Sequence, residues 1–332
     1  MKINNLILLL FIFFYFINPA FADDFQNWLN SFKIHALEKG ISEETFDKSM
    51  SNVKFLPKVI KYDRYQPEFY EDTNTYISKR TSKEKVSQGL NIYKKNNLLI
   101  NKVESEFNVD KELLLSLMGI ETNFGKYLGK MDILSSLATL SFDKRRSEFF
   151  TSELIKILQL IDRGVIDYKV LYGSWAGAFG NFQFMPSTIM NYAIDYNSDE
   201  KIDLKSIEDS FASAANYINK LGWNNNEPCY LKIDLLENTP SLLLNSSAKK
   251  IKNKKLLKNI KKYIKDSDKI DFDDNLQVAI VTPDKEIVEN SKLLDPAYLI
   301  FSNYELILKW NRSLRFALAV CNLKNKFKNE LY

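Results

Sequence analysis

The sequence predicts a mainly α (α+β) protein, and three observations carry that reading. Residues 23–102 repeat apolar side chains at helical steps. Helix-start and helix-stop residues bracket several later runs. After Trp223, two apolar runs take on strand character. With 332 residues, 45% of them hydrophobic and 27% charged, the chain has enough material for a sizeable core and two or three subdomains.

The first segment is set apart by composition. Met1-Lys2 gives a short positive start, Leu6 to Ile17 is apolar, and Pro19-Ala-Phe-Ala22 places small residues before Asp23. Residues 1–22 are therefore expected to be a cleaved secretory signal. The apolar run is shorter than the ~20 residues of a membrane span. No cysteine lies near Ala22 to carry a lipid. The expectation is an exported, periplasmic protein, not a lipoprotein, with no stable membrane anchor.

From residue 23 to about 102 an N-terminal helical subdomain is expected. Phe25, Trp28, Leu29 and Phe32 recur at three- and four-residue steps, and Ser42 with Glu44 and Phe46 reads as a capped helix start. Residues 103–229 form the next unit. Asp110 is an N-cap candidate for a helix from Lys111 to about Thr122, with Gly125 as its stop. Further helices are expected from Arg146 to Asp162, from Ser187 to Tyr196, and from Phe211 to Leu221, closed by Gly222. Residues 230–300 read as a small α/β insertion. Tyr230 to Leu236 and Leu276 to Val281 are its strands, and Ala248 to Lys265 is a lysine-rich helix between them. Residues 301–332 return to the main body through a helix from Ser313 to about Lys326.

Composition removes several chemistries. The single histidine, His35, lies in an early helical stretch and reads as a surface residue, which excludes a Ser-His-Asp triad in the chain's centre and any multi-histidine metal site. Cys229 and Cys321 cannot make a zinc site alone. They either form one disulfide in an exported chain or remain two buried thiols, and the sequence, which gives no distance between them, favours the unpaired state. The net charge of +4 is too small to demand nucleic acid. The lysine-rich stretch contains one aromatic, Tyr263, where a single-strand binder would interleave several.

One carboxylic acid stands out. Glu121 lies in Met118-Gly-Ile-Glu-Thr-Asn-Phe-Gly125, in the last turn of its expected helix, where the negative dipole end and apolar neighbours disfavour a carboxylate. About fifty residues later comes Gly173-Ser-Trp-Ala-Gly-Ala-Phe-Gly-Asn-Phe-Gln-Phe-Met-Pro-Ser187. Its glycines permit close backbone approach. Ser174, Asn181 and Gln183 offer uncharged hydrogen-bond groups suited to sugars, and Trp175, Phe179, Phe182 and Phe184 offer flat apolar faces. Cleavage of a glycosidic bond needs an acid to protonate the leaving oxygen and a wall that holds the sugar.

These residues carry a resemblance. Glu121 to Gly125, Leu134 to Phe142, Arg145-Arg146, the Gly173 to Ser187 run and Ala215 to Trp223 resemble the lytic murein transglycosylase B family. Asp63-Arg-Tyr-Gln-Pro-Glu-Phe69 and Trp310-Asn-Arg-Ser-Leu-Arg-Phe-Ala-Leu-Ala-Val320 are similar to its flanking motifs. The resemblance covers nearly all of the chain after residue 22. It implies a lysozyme-like catalytic core over 103–229 and peptidoglycan glycan strands as partner. The bond cleaved would lie between N-acetylmuramic acid and N-acetylglucosamine, without water, leaving a 1,6-anhydro end. It also implies that Glu121 acts first as acid and then as base toward the muramoyl C6 hydroxyl, an intramolecular nucleophile that gains from proximity. By the same resemblance Ser174 and Gln183 contact the acetamide or the acid. Tyr217, Phe184, Trp310 and Asn311 line sugar subsites, and Arg145 and Arg146 face peptide or lactyl carboxylates.

Alternatives remain on the residues themselves. A hydrolytic muramidase would use a second acid, for which Asp132 and Asp143 are the nearest candidates, and an inactive wall-binding protein would have lost the acid or the loop. No cofactor is required for the chemistry. A structural calcium or sodium ion is expected in Asp195-Tyr-Asn-Ser-Asp-Glu-Lys-Ile-Asp203. Asp195, Asn197, Asp199 and the Lys201 carbonyl take EF-hand positions there, with Asp209 as the later acidic ligand. Glu200 stands where glycine is expected. A monomer is expected.

Overall fold

The structure is a computed structural model that describes residues 19–65, 71–285 and 294–332. Most of the expected signal segment lies outside the described residues, as do positions 66–69 of the motif that begins at Asp63. The fold is mainly helical with small sheets, as expected.

The first helices are α1 (Pro19–Glu38), α2 (Glu43–Met50), α3 (Pro57–Arg64), α4 (Thr73–Arg80), α5 (Lys83–Lys95) and α6 (Asn97–Phe107). The expected stripe of α1 is buried at Phe25, Leu29 and Phe32, and Trp28 stacks on Phe32 with ring centroids 5.2 Å apart. Ser42 caps α2, its hydroxyl accepting the Thr45 N–H at 3.2 Å, which satisfies one orphan donor of the first turn. His35 is half-exposed beside Glu38.

At the centre lies α7 (Lys111–Thr122), with α8 (Ile133–Phe142), α9 (Ser147–Asp162), α10 (Pro186–Tyr192), α11 (Ile207–Leu221), α12 (Leu257–Ile260), α13 (Ser302–Trp310) and α14 (Leu314–Leu331) around or beyond it. Nearly all of α7 is buried, including Leu113, Leu114, Leu115, Leu117 and Met118, and it packs chiefly on α14, with α5, α6 and α11 also against it. An apolar face on every side is what a central helix shows. Gly119 is required there: a Cβ at that position would stand 2.7 Å from the Phe124 ring, so the aromatic packs directly on the helix backbone. Asp110 occupies the N-cap position without capping through its side chain. Its carboxylate instead accepts the Trp223 indole N–H at 2.9 Å and pairs with Lys324 at 3.2 Å, tying α7 to α14.

The strands are β1 (Met131–Asp132), β2 (Tyr172–Gly173), β3 (Tyr230–Ile233), β4 (Leu244–Asn245), β5 (Lys255–Leu256), β6 (Gln277–Val281) and β7 (Ala297–Ile300). β1 and β2 form an antiparallel pair. The larger sheet runs β3-β7-β6-β4, with β5 also on β6; among the described residues β4 and β6 pair in parallel and the other pairs are antiparallel. Its alternation sorts two cores. Ala279, Val281, Tyr298 and Ile300 join the main helical core. Val278, Ile280, Ala297 and Leu299 face a second cluster with Leu257, Ile260 and Ile264. Period-two side chains thus make the sheet a wall buried on both faces.

Two expectations are overturned here. Ala248 to Lys265 is not one helix: only Leu257–Ile260 is α-helical, preceded by the edge strands β4 and β5. The buried Asn245 amide holds the intervening loop, accepting the Lys252 N–H at 2.8 Å and donating to the Lys252 and Ile280 carbonyls. These pairings replace the intrahelical bonds that the lysine spacing would have supplied. Cys229 and Cys321 are disulfide-bonded, with Cα atoms 6.0 Å apart. The Phe301 N–H donates to the Cys229 carbonyl, and Asn322 donates to the Tyr230 hydroxyl, which brings the start of β3 against α14.

Candidate active site

The site begins at the end of α7. Asn123, Phe124 and Gly125 all adopt positive φ, so the chain leaves the helix abruptly after Thr122. The stop therefore begins at Asn123, two residues before the glycine that announces it. Left-handed backbone at a buried phenylalanine is costly and persists only where surroundings hold it. They do. The Thr122 hydroxyl donates to the Asn181 carbonyl at 2.8 Å and accepts the Gly125 N–H at 3.0 Å. The helix end carrying Glu121 is thereby fastened to the glycine-aromatic run.

That run is itself closed. Phe179 and Phe184 exchange backbone hydrogen bonds at 2.9 and 2.8 Å, and the Ser174 N–H donates to the Ala178 carbonyl at 2.9 Å. Gly173 allows the approach, since a Cβ there would lie 2.1 Å from the Ala178 oxygen. The Ser174 hydroxyl accepts the Ala178 N–H at 3.0 Å. Gln183, at φ +51°, donates to the Leu128 and Gly180 carbonyls at 3.3 and 2.9 Å. Both side chains remain half-buried rather than sealed.

Across from the run, α13 ends in Trp310, whose indole N–H donates to Glu121 Oε1 at 2.9 Å. The tryptophan heads an aromatic wall. Tyr217 stacks on it with centroids 5.2 Å apart, Tyr192 stacks on Tyr217 at 4.3 Å, and Phe182 and Phe184 meet it edge-on. Burial raises the Tyr217 phenol above its ordinary pKa, with Tyr192 adding to the effect, so the ring is neutral throughout the physiological range. Asn311 follows in extended conformation and caps α13 through its backbone N–H. Tyr192 was not singled out in the sequence. No local signal marks it, because its stacking partner Tyr217 is on a separate helix and the two meet only through the packing of α10 on α11.

Four of the residues expected to meet ligand have partners within the protein. Asn181 is buried and spends its amide N–H groups on the Lys205 and Ser206 carbonyls and the Ser210 hydroxyl, so it braces the loop from within. Phe184 is buried too, supporting Trp310 and Tyr217 from behind. Arg145 and Arg146 both pair with the buried Asp63 carboxylate, and Arg145 also donates to the Asp63 carbonyl. The two guanidinium groups share one carboxylate in a bridge between α3 and the α8–α9 junction, so the cluster keeps one net positive charge and both side chains remain partly exposed.

The two candidates for a second acid have structural work. Asp132 caps α8 by accepting the Ser135 N–H at 2.6 Å, and Asp143 pairs with Arg64 at 2.9 Å. A cavity of about 650 Å³ lies elsewhere, between α2, the end of α9 and residues 201–205, and Glu121 does not line it.

In the expected metal loop, Asp195 accepts the Asp199 and Glu200 N–H groups, and Asn197 and Asp199 close further turns onto loop amides. Asp209, buried on α11, accepts the Tyr196 N–H at 2.9 Å and the Asp203 N–H at 2.8 Å, clamping both ends of the loop. Glu200 takes a φ of +67°, the conformation for which glycine is expected. The donor set is hard oxygen, which suits calcium. Among the described residues, however, no three acidic, histidine or cysteine groups converge as a metal cluster.

The class defined is a helical protein that sets one acid, held by an indole, beside an aromatic platform suited to sugar rings. The chain belongs to the transglycosylase SLT domain family, which it matches over residues 24–325. It is 36% identical over 149 residues to the membrane-bound lytic murein transglycosylase B of Escherichia coli (strain K12). That stretch is 45% of this chain and 41% of the relative, so it spans less than half the relative's length. Among solved structures, SltB3 from Pseudomonas aeruginosa in complex with NAG-NAM-pentapeptide superposes with a TM-score of 0.80 at 30% identity, covering 92% of this chain and 79% of that one. The Escherichia coli lytic transglycosylase Slt35 in complex with calcium gives a TM-score of 0.75 at 24% identity, over 94% of this chain and 95% of that one, a likeness of fold.

Proposed function

We propose that this chain is a lytic transglycosylase that cleaves the bond between N-acetylmuramic acid and N-acetylglucosamine in peptidoglycan, leaving a 1,6-anhydro end. The observation that carries the reading is the 2.9 Å bond from Trp310 to Glu121 at the edge of the aromatic wall. Glu121 donates its proton to the leaving glycosidic oxygen as the C1–O bond breaks. The resulting carboxylate takes the proton of the muramoyl C6 hydroxyl while that oxygen bonds to C1, so the acid is restored and no water is consumed. The indole N–H stabilises the carboxylate between the two transfers, and Trp310, Tyr217 and Tyr192 hold sugar rings by their faces. Ser174, Gln183 and Asn311 are the polar groups left at the site's edge for sugar substituents. The structural employment of Asp132 and Asp143 favours one acid over a two-acid hydrolase.

Export to the periplasm fits the disulfide, which belongs to oxidising compartments. Among the described residues no helix is long and apolar enough to cross a membrane. The oxygen-rich loop supports an ion at Asp195, Asn197, Asp199, the Lys201 carbonyl and Asp209, and a relative in fold was solved in complex with calcium. Binding there would stiffen the α10–α11 connection and raise the melting temperature in millimolar calcium. An insertion over 230–300 is supported by the two-faced sheet with its own second core.

The test is digestion of purified glycan strands by the wild type and Glu121→Gln, with the products weighed. Products lighter by one water than hydrolytic fragments, formed by the wild type alone, are expected. Reducing ends only would make the chain a muramidase, and cleavage by neither would make it a wall-binding protein.

A further inference from the structure

Lysine-rich surfaces are common, but one on this molecule is concave and adjoins the site. Ala248, Lys249, Lys250, Ile251, Lys254, Glu305, Leu308, Lys309 and Arg312 line a cleft of about 490 Å³ between the β4–β5 loop and α13. Its floor is apolar, with Leu308 buried and Ala248 and Ile251 packed against the main core. Its rim carries five cations and one carboxylate, a local net charge of +4 (5 − 1), equal to that of the entire chain. The carboxylate, Glu305, pairs with Lys254 at 2.5 Å, which pins the loop to α13 and leaves Lys249, Lys250, Lys309 and Arg312 around the opening. Those four side chains are exposed.

Position gives this charge its meaning. Lys309 and Arg312 flank Trp310 and Asn311, and the Lys309 carbonyl accepts the Tyr217 hydroxyl at 3.4 Å. Lys309 thus belongs at once to the cleft and to the backbone that holds the aromatic wall. A muramoyl residue held on that wall carries its stem peptide outward from the lactyl group, and such stems end in free carboxylates. Arg145 and Arg146, which the sequence offered for this role, share the Asp63 carboxylate, whereas Lys309 and Arg312 stand directly beside the aromatic wall.

We propose that this cleft is the subsite for the carboxylates of the stem peptide on the bound glycan strand, so that it sets a preference for peptide-bearing over stripped strands. The inference rests on the proposed reading of Glu121 and deepens it. Concavity and a buried apolar floor favour a peptide over a lipid surface, which a membrane-binding face would meet with protruding apolar side chains. The peptide's carboxylates meet lysine and arginine without a competing acid other than the paired Glu305.

The experiment uses the full exported chain and the variant Lys250→Gln/Arg312→Gln. Both enzymes are assayed on strands carrying pentapeptide stems and on the same strands stripped by an amidase. Binding of the isolated pentapeptide is titrated separately by calorimetry. The expected result is a KM about fivefold higher on peptide-bearing strands, with kcat unchanged, stripped strands unaffected and pentapeptide binding weakened to a similar degree. The wild-type preference should also fade with added salt. Equal behaviour of variant and wild type on both substrates overturns the proposal, as does an equal loss on both. If the wild type cleaves neither substrate, the reading of Glu121 fails, and the pentapeptide titration alone decides the cleft. Loss of binding to phosphatidylglycerol vesicles with digestion unchanged would assign the cleft to a lipid surface and overturn the proposal.

Discussion

The end of α7 and the β4–β5 loop solve the same problem in opposite ways. Each is an irregular segment that a buried side chain must hold. At α7, Thr122 and Asn181 fasten the backbone with neutral hydrogen bonds, and aromatic faces close around a single acid. At the β4–β5 loop, Asn245 does the fastening, but the surface left outside is a charged rim over an apolar floor. The difference separates two ways of meeting a polymer. Neutral walls discriminate by shape and place one reactive group. A charged cleft adds attraction without chemistry.

The largest effect expected is on the neutral side. Glu121→Gln should cut glycan cleavage by about 10³-fold or more while the thermal transition stays in place, as measured by product release and circular dichroism. Next is the link between the regions. Cys229 opens the sheet-bearing segment, and Cys321 lies in α14 against α7, 92 residues away. Replacing both by serine should cost about 4 kcal/mol of stability in denaturant titrations, because so long a loop is no longer closed in the unfolded chain. Activity below the transition should persist, since neither sulfur touches the wall. Loss of cleavage in a folded variant would show that the two regions are not separable.

Trp310→Phe sharpens the comparison further. The ring remains for stacking, but the N–H donor to Glu121 is removed, so kcat should fall about ten- to hundredfold with little change in KM. A KM effect alone would make the tryptophan a platform only.

The smallest effect is electrostatic. The Asp72 carboxyl is held below its ordinary pKa by the Thr75 side chain and N–H at the start of α4. A depressed folded pKa contributes stability above the unfolded value, and that stability disappears as pH falls through the folded one. Asp72→Asn retains a capping side chain. It should therefore be less stable than the wild type near neutral pH, by under about 1 kcal/mol, with the gap closing below about pH 4. A gap independent of pH would trace the cap to shape alone.

The same contrast explains what the sequence made legible. Apolar period, capping residues and Gly222 located α1, α2, α7, α9 and α11 because those helices bury a face that local spacing already displays. The glycine-aromatic run and Glu121 were visible as residue types, and Trp310 through its motif. Hydrogen-bond commitments were hidden. Asn181 and Arg145 look like ligand groups until Ser210 and Asp63 claim them, and those partners lie 29 and 82 residues away. The lysine-rich segment misled for a related reason. Its helical spacing is real, but Asn245 and the edge of β6 pair with its backbone at Lys252 and at Lys255–Leu256 instead. The cysteine pair was unreadable because their proximity depends on where β3 meets α14.

The central claim is that one acid suffices because the nucleophile belongs to the substrate. Digestion of purified glycan in ¹⁸O-labelled water tests it most directly. The account predicts anhydro ends carrying no label from solvent. One labelled oxygen at each new end would mean that water attacked C1, and would contradict it.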